Sequence, residues 1–284
     1  MLAVEFTKIA IIESLKEPYK SGSDLKGYIE GLNQEYLPYV PPIYYFSVIN
    51  KDEFKCAINS LIAESSQKGE NFILHLEIHG LDDLSGIGFK DTSTLSWEEL
   101  GKILVPLNRA MGFNLLVCMA TCFGSNLLKV VKPCKPGPCL AVIGPTESTD
   151  GSELLQHYRH FYRELLDNLD LVNAFKYLTS ARLEKGGFIC KTADIWFEEV
   201  IMDHMNGYYL DEEILDERVN EIMLALPQEY NYLKKDVIVD IIKTITKNYI
   251  KKSFETFFMA QDIPENSNRF HDTLKKIEVK TNLV

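Results

Sequence analysis

The sequence predicts an α/β chain in which residues 1–195 form a three-layer α/β/α sandwich around a mostly parallel, doubly wound sheet and residues 196–284 form a helical C-terminal extension. Three observations predict it. Short apolar runs alternate with longer amphipathic segments through the first two hundred residues, the pattern of strands covered by helices on both faces. The runs are apolar almost throughout, as strands buried on two faces are. After Ala193 they give way to long helical stretches with few breakers.

The expected strands are 6–14, 43–49, 72–79, 115–120 and 140–143, each rich in Val, Ile, Leu or Phe. Helices are expected between them at 23–35, 52–67, 97–111 and 151–168. Three starts carry a signal, since Asn50, Ser96 and Asp150 each stand three positions before a carboxylate, Glu53, Glu99 and Glu153. Residues 86–95 alternate weakly between turn residues and apolar ones, which predicts a small β-hairpin. In the extension, 211–217 is acidic whereas 234–252 carries six lysines against Asp236 and Asp240. Two helices of opposite charge are expected to pack together, their faces reading as the solvated surface of a helical appendage, with a docking surface for a regulatory protein as the alternative.

Composition narrows the function. With 284 residues, 46% of them hydrophobic, the chain is able to bury a real core. A net charge of −11 repels phosphate backbones and anionic lipid, so neither nucleic acid nor membrane is an expected partner. No apolar run reaches 18 residues, and the stretch 3–12 is broken by Glu5 and Lys8, so a cytoplasmic location is expected. Six scattered cysteines predict free thiols in a reducing compartment. Cys134 and Cys139 have no second Cys/His pair of ligand spacing, and neither a metal nor another cofactor is expected. A nucleotide-binding fold is disfavoured because no Gly-x-Gly-x-x-Gly or Gly-x-x-x-x-Gly-Lys segment occurs.

The chemistry is expected where strands end. The third strand closes in Ile78-His79-Gly80, and the fourth runs through Cys118 into Ala120-Thr-Cys122-Phe-Gly-Ser125, a small turn opening a helix near Ser125. Active sites of open α/β sheets lie beyond the carboxyl ends of the strands, so His79 and Cys122 are expected on one rim. A thiol beside an imidazole suffices for acyl transfer when amides receive the oxyanion, and Gly80 and Cys122 itself are the candidate donors. His75, Glu77 and His79 share a strand face but span about 13 Å, too far for one metal ion. His75 reads as a core or hydrogen-bonded residue, Cys118 as core packing, and His157 and His160 as surface. Asp82, Asp83 and Glu147 follow strand ends and are expected to border the cleft, where they would favour a basic P1 residue.

The Ile78-His79-Gly80 element, the segment 86–99 ending in Leu-Ser-Trp-Glu-Glu, and Ala120-Thr-Cys122-Phe-Gly-Ser125 resemble the caspase-like cysteine peptidases, particularly bacterial caspase-like or CHAT-type domains. His79 and Cys122 stand 43 positions apart, near the roughly 50-residue spacing of caspases. Val142-Ile-Gly-Pro-Thr146 and Phe161-Tyr-Arg-Glu-Leu165 are similar to the strand and helix that follow the cysteine in these domains. The resemblance covers roughly residues 6–183. It implies a caspase-like fold, an endopeptidase acting on protein substrates through Cys122 and His79, and conditional activation of the defence or cell-death kind, so the isolated chain is expected to be weakly active. Ala-Thr-Cys-Phe-Gly replaces the Gln-Ala-Cys-Arg-Gly of caspases, and aspartate specificity is not implied. The alternative is a catalytically inactive adaptor of the same fold.

Overall fold

The computed structural model describes residues 5–16, 18, 20–35, 40–230 and 232–283; residues 3 and 4 of the N-terminal apolar stretch lie outside them. The chain divides into two compact units, Met1–Val131 with Gly137–Ala193, and Lys132–Pro136 with Asp194–Val284.

The first unit is α/β. Its elements run β1 (Lys8–Ser14), α1 (Ser21–Glu35), β2 (Ile43–Ser47), α2 (Lys51–Lys68), β3 (Phe72–Gly80), β4 (Gly86–Gly88), β5 (Thr94–Ser96), α3 (Trp97–Ala110), β6 (Leu116–Met119), β7 (Ala141–Pro145), α4 (Gly151–Asn168), α5 (Leu171–Ser180) and β8 (Phe188–Thr192). The sheet order is β2-β1-β3-β6-β7-β8. The first four pairings are parallel and β7 to β8 is antiparallel, so the sheet is mixed but mostly parallel. The β4–β5 hairpin pairs with the end of β3 and lies where the weak alternation of 86–95 predicts it.

Burial explains the apolar runs. Residues 72–78 are all buried, with alternate side chains entering opposite layers. One layer gathers Leu25 and Ile29 of α1, Tyr158, Phe161 and Tyr162 of α4 and Leu178 of α5 over Ile9, Ile11, Ile73, Leu116 and Ile143. On the other face α2 packs on α3, which bury Phe54, Ile58 and Leu61 and Leu100, Leu104 and Leu107. The three expected caps form. Asn50 accepts from the amides of Asp52 and Glu53, Asp150 from those of Ser152 and Glu153, and Ser96 makes a reciprocal box with Glu99.

The second unit is helical, with α6 (Ala193–Met205), α7 (Glu212–Ala225), α8 (Lys235–Phe257), α9 (Asn266–Arg269) and α10 (His271–Lys280). Phe197, Phe254, Phe257, Phe258 and Phe270 form its aromatic centre, with the rings of Phe258 and Phe270 stacked at 4.1 Å. The acidic α7 packs on the lysine-rich α8, and Asp216 meets Lys235 at 3.3 Å. Both side chains are exposed, so this pair adds at most about 1 kcal/mol. Among the described residues no helix is long and apolar enough to cross a membrane.

Candidate active site

The parallel register sets the exits of three neighbouring strands side by side. Glu13 of β1 lies opposite Glu77 of β3, and Leu76 of β3 opposite Met119 of β6. The order β2-β1-β3 reverses direction at β1, which makes this rim a topological switch point, the place where such sheets open a crevice. A cleft of about 460 Å³ lies there. His79 and Cys122 both line it, together with Glu77 and Ala120 and the first turns of α1 and α4. His79 is exposed and Cys122 half-buried.

Close backbone contact fixes the Cys122 turn. A Cβ placed on Gly80 would meet the Cys122 carbonyl oxygen at 2.0 Å, so only glycine lets the end of β3 approach the turn this closely. Gly80 also has a defined direction. The Leu81 amide donates to the Gly86 carbonyl, so Gly80, opposite Ile87, occupies a non-hydrogen-bonded pair and turns its own N–H away from β4. Phe123 holds a left-handed backbone at φ 58, a costly conformation for a non-glycine residue. Its amide donates to the Glu147 carbonyl at 3.2 Å, and the Gly124 amide to the Thr121 carbonyl at 2.9 Å. The helix expected after this turn is a 3-10 helix over Gly124–Val130.

The thiol itself is engaged elsewhere. Cys122 Sγ donates to the Thr149 carbonyl at 3.6 Å and accepts from Ser148 Oγ at 3.7 Å, while among the described residues no hydrogen bond joins it to His79. Cys118, fully buried within β6, has its thiol pushed well up by burial, as a core residue should.

Beneath the cleft runs a buried polar chain. Tyr162 Oη meets His75 Nδ1 at 3.3 Å, His75 Nε2 meets Glu77 Oε1 at 3.0 Å, and Ser21 Oγ donates to Glu77 Oε2 at 2.7 Å. His75 is fully buried and Glu77 only 3% exposed. Tyr158 packs edge-on against the His75 ring at 4.7 Å, and burial pushes the phenols of Tyr158 and Tyr162 well up.

The acidic residues expected to border the cleft do not line it. Asp83 accepts from the amide and hydroxyl of Ser85, which hold its carboxyl below the usual range, so its Oδ1 serves the β3–β4 turn. Asp82 is exposed beside it, and Glu147 is exposed and contributes its main-chain carbonyl to Phe123. The carboxylates lining the cleft are Asp24, Glu77 and Asp150. Glu77 carried a readable signal, since it lies two residues before His79 on the same strand face. Ser148 and Thr149 carried none, because their approach to Cys122 depends on how the loop after β7 folds. His157, expected at the surface, is half-buried, packing its ring edge-on against Phe188 at 5.8 Å. Compared with known proteins, the chain matches no family model and no curated protein.

Proposed function

We propose that the chain is a caspase-like cysteine endopeptidase with Cys122 as nucleophile and His79 as its acid/base partner. The observation that carries the reading is that these two residues, distant in sequence, line one cleft at the exits of adjacent parallel strands. His79 takes the thiol proton, and Cys122 Sγ bonds to the scissile carbonyl carbon. The carbonyl oxygen becomes an oxyanion received by the amides of Gly80 and Cys122. The direction of the Gly80 N–H, away from β4, supports that role. The C–N bond then breaks, His79 returns its proton to the departing amine, and a thioester remains. Water, losing a proton to His79, attacks the thioester; the acid product leaves and the thiol is restored. These steps need two side chains, two amides and water.

The bonds from Sγ to Thr149 and Ser148 describe a resting state. To react, the thiol exchanges them for His79, and a loop that must shift first is a natural point for conditional activation. Cleavage of a peptide library by wild type, Cys122→Ala and His79→Ala, with and without candidate activating proteins, tests the reading. Cleavage lost in both variants is expected. Cleavage that survives Cys122→Ala, or a wild type inert under every condition while Cys122 reacts no faster than Cys134, overturns it in favour of the adaptor.

A further inference from the structure

We infer that the outer face of α8, where the apolar row Val237, Ile241 and Ile245 runs near a row of exposed lysines, is a docking groove for an acidic amphipathic helix of a partner protein. The surface lies within the second unit, and neither it nor its test involves Cys122.

The helix is built of rows spaced by four residues. One row, Ile238, Ile242, Thr246 and Ile250, is buried in the unit. The next, Val237, Ile241 and Ile245, is 40, 47 and 57% exposed. Each of its members stands one position before a buried one, about 100° round the helix, so the packing that claims the first row does not cover the second. A continuous apolar row beside one already buried gives α8 a second apolar side, and a helix of that kind is made to be packed on two sides.

Shape selects the kind of occupant. A groove of about 320 Å³ lies along this row, lined by Val237, Ile241 and Ile245 on one side and by Asp240 and Thr244 of the next row on the other. Grooves between rows of this spacing are what the side-chain ridge of a second helix fills, so the groove fits a helix that carries an apolar ridge of its own. Thr244 donates its hydroxyl to the Asp240 carbonyl at 2.9 Å, so the middle of the groove asks for no polar partner.

Charge selects which helix. Past Asp240 and Thr244 comes a further row, Lys243, Lys247 and Lys251, all exposed, with Lys252 following it. None of these four has an ion-pair partner among the described residues, whereas Lys235 at the start of α8 meets Asp216. In a chain of net charge −11 they form an island of uncompensated positive charge, and carboxylates along the flank of an incoming helix are its complement. Asp240 sits at the other end of the groove, so the acidic part of the partner belongs over Lys243 to Lys251. A lipid surface is extended and meets the repulsion of the whole acidic chain, whereas one helix meets the lysine row within a Debye length of about 8 Å. A second copy is opposed as well, because antiparallel two-fold pairing of two α8 helices sets lysine row beside lysine row.

Three fluorescently labelled helical peptides of about 18 residues, five turns, are titrated with the full chain and read by anisotropy. One carries a leucine row flanked by glutamates, the second has lysines in place of the glutamates, and the third keeps the glutamates and has serines in place of the leucines. The first is expected to bind saturably and at least about tenfold tighter than either of the others, with a preference over the second that narrows as ionic strength rises from about 0.1 to about 1 M. Ile241→Gln should weaken its binding about tenfold, and Lys247→Glu/Lys251→Glu should make the second peptide bind tighter than the first. These positions are exposed, so the variants should keep the wild-type helicity, which circular dichroism checks; for a variant that does not, the order of the three peptides on the wild type decides. Equal binding of the three peptides, a preference untouched by either folded variant, or no saturable binding below about 1 mM overturns the proposal. So do a dimer in sedimentation that Ile241→Gln dissociates, which gives the face to a second copy, and tighter binding to phosphatidylserine vesicles than to the first peptide, which gives it to a membrane.

Discussion

Replacing Gly80 by alanine is the sharpest perturbation the geometry allows. The new methyl would lie 2.0 Å from the Cys122 carbonyl oxygen, 2.8 Å from its carbonyl carbon and 3.1 Å from its Cβ. A relaxed C···O contact is about 3.3 Å, so the end of β3 and the Cys122 turn must separate by roughly 1.3 Å. Neither side yields cheaply. Gly80 is paired with Ile87 in the β3–β4 ladder, and the turn is tied through Thr121 Oγ1 to the Leu76 carbonyl and through the Phe123 amide to Glu147. Overpacking of this kind costs about 1–3 kcal/mol. For a unit of this size that lowers the melting temperature by roughly 2–12 °C. The functional loss is expected to exceed the loss of stability. A misplacement near 1 Å costs about 100-fold in turnover, because the Gly80 amide and the thiol move apart together. Thermal unfolding and kcat/KM on the best library peptide are measured for Gly80→Ala and for Gly27→Ala, an exposed position in α1 where an added Cβ meets nothing within 4 Å. Gly27→Ala should be neutral or slightly stabilising. A Gly80→Ala protein with unchanged melting and unchanged kcat/KM would falsify the contact between strand exit and nucleophile turn.

Three further outcomes are expected. Ser148→Ala removes one donor from Cys122 Sγ and should speed its alkylation by iodoacetamide by roughly 2–10-fold, read by mass spectrometry, with buried Cys118 unchanged; a slower rate shows that Ser148 assists the thiol instead of restraining it. His79→Ala should slow Cys122 alkylation without large loss of stability, because the ring is exposed, whereas His75→Ala strips a partner from buried Glu77 and should cost about 1–3 kcal/mol while sparing the rate; the opposite pattern refutes the assignment of base and core histidine. Asp150→Ala should cost about 1 kcal/mol as a lost helix cap, and because Ser152 holds the Asp150 carboxyl below its usual range, the stabilisation is full above the ordinary aspartate range and fades as pH falls through the lowered value; Asp150→Asn should keep most of the cap and flatten the melting temperature across that acidic window, and an unchanged slope contradicts the sign.

The strands legible in the sequence are those buried on both faces. A run such as 72–78, apolar but for His75 and Glu77, permits one reading, and the observed β3 ends two residues beyond it, one beyond the expected strand 72–79. The caps were legible because they are local: a side-chain oxygen reaching an amide two or three residues on needs no tertiary context. β8 was not legible. Its five residues, Phe188-Ile-Cys-Lys-Thr192, form an antiparallel edge buried fully only at Phe188, so no continuous apolar run marks it. The short α5 was missed as well, its ten residues following α4 after a break at Leu169 and Asp170.

At the site the same distinction separates strand from loop. The period of two along β3 carries Glu77 and His79 to one side, and the cleft finds both there. Asp82, Asp83 and Glu147 follow strand ends just as closely in sequence, yet the chain has left the sheet by then, and turn geometry alone decides where a loop side chain points. Asp83 answers to Ser85, and Glu147 lends only its carbonyl. The nucleophile stands on the border between these regimes. Its position past β6 follows from the strand, whereas its present partners, Ser148 and Thr149, come from the loop after β7. Strand geometry therefore brings Cys122 and His79 to one cleft, and loop geometry decides whether they meet. That division predicts that substitutions at Ser148 and Thr149 change how fast Cys122 reacts.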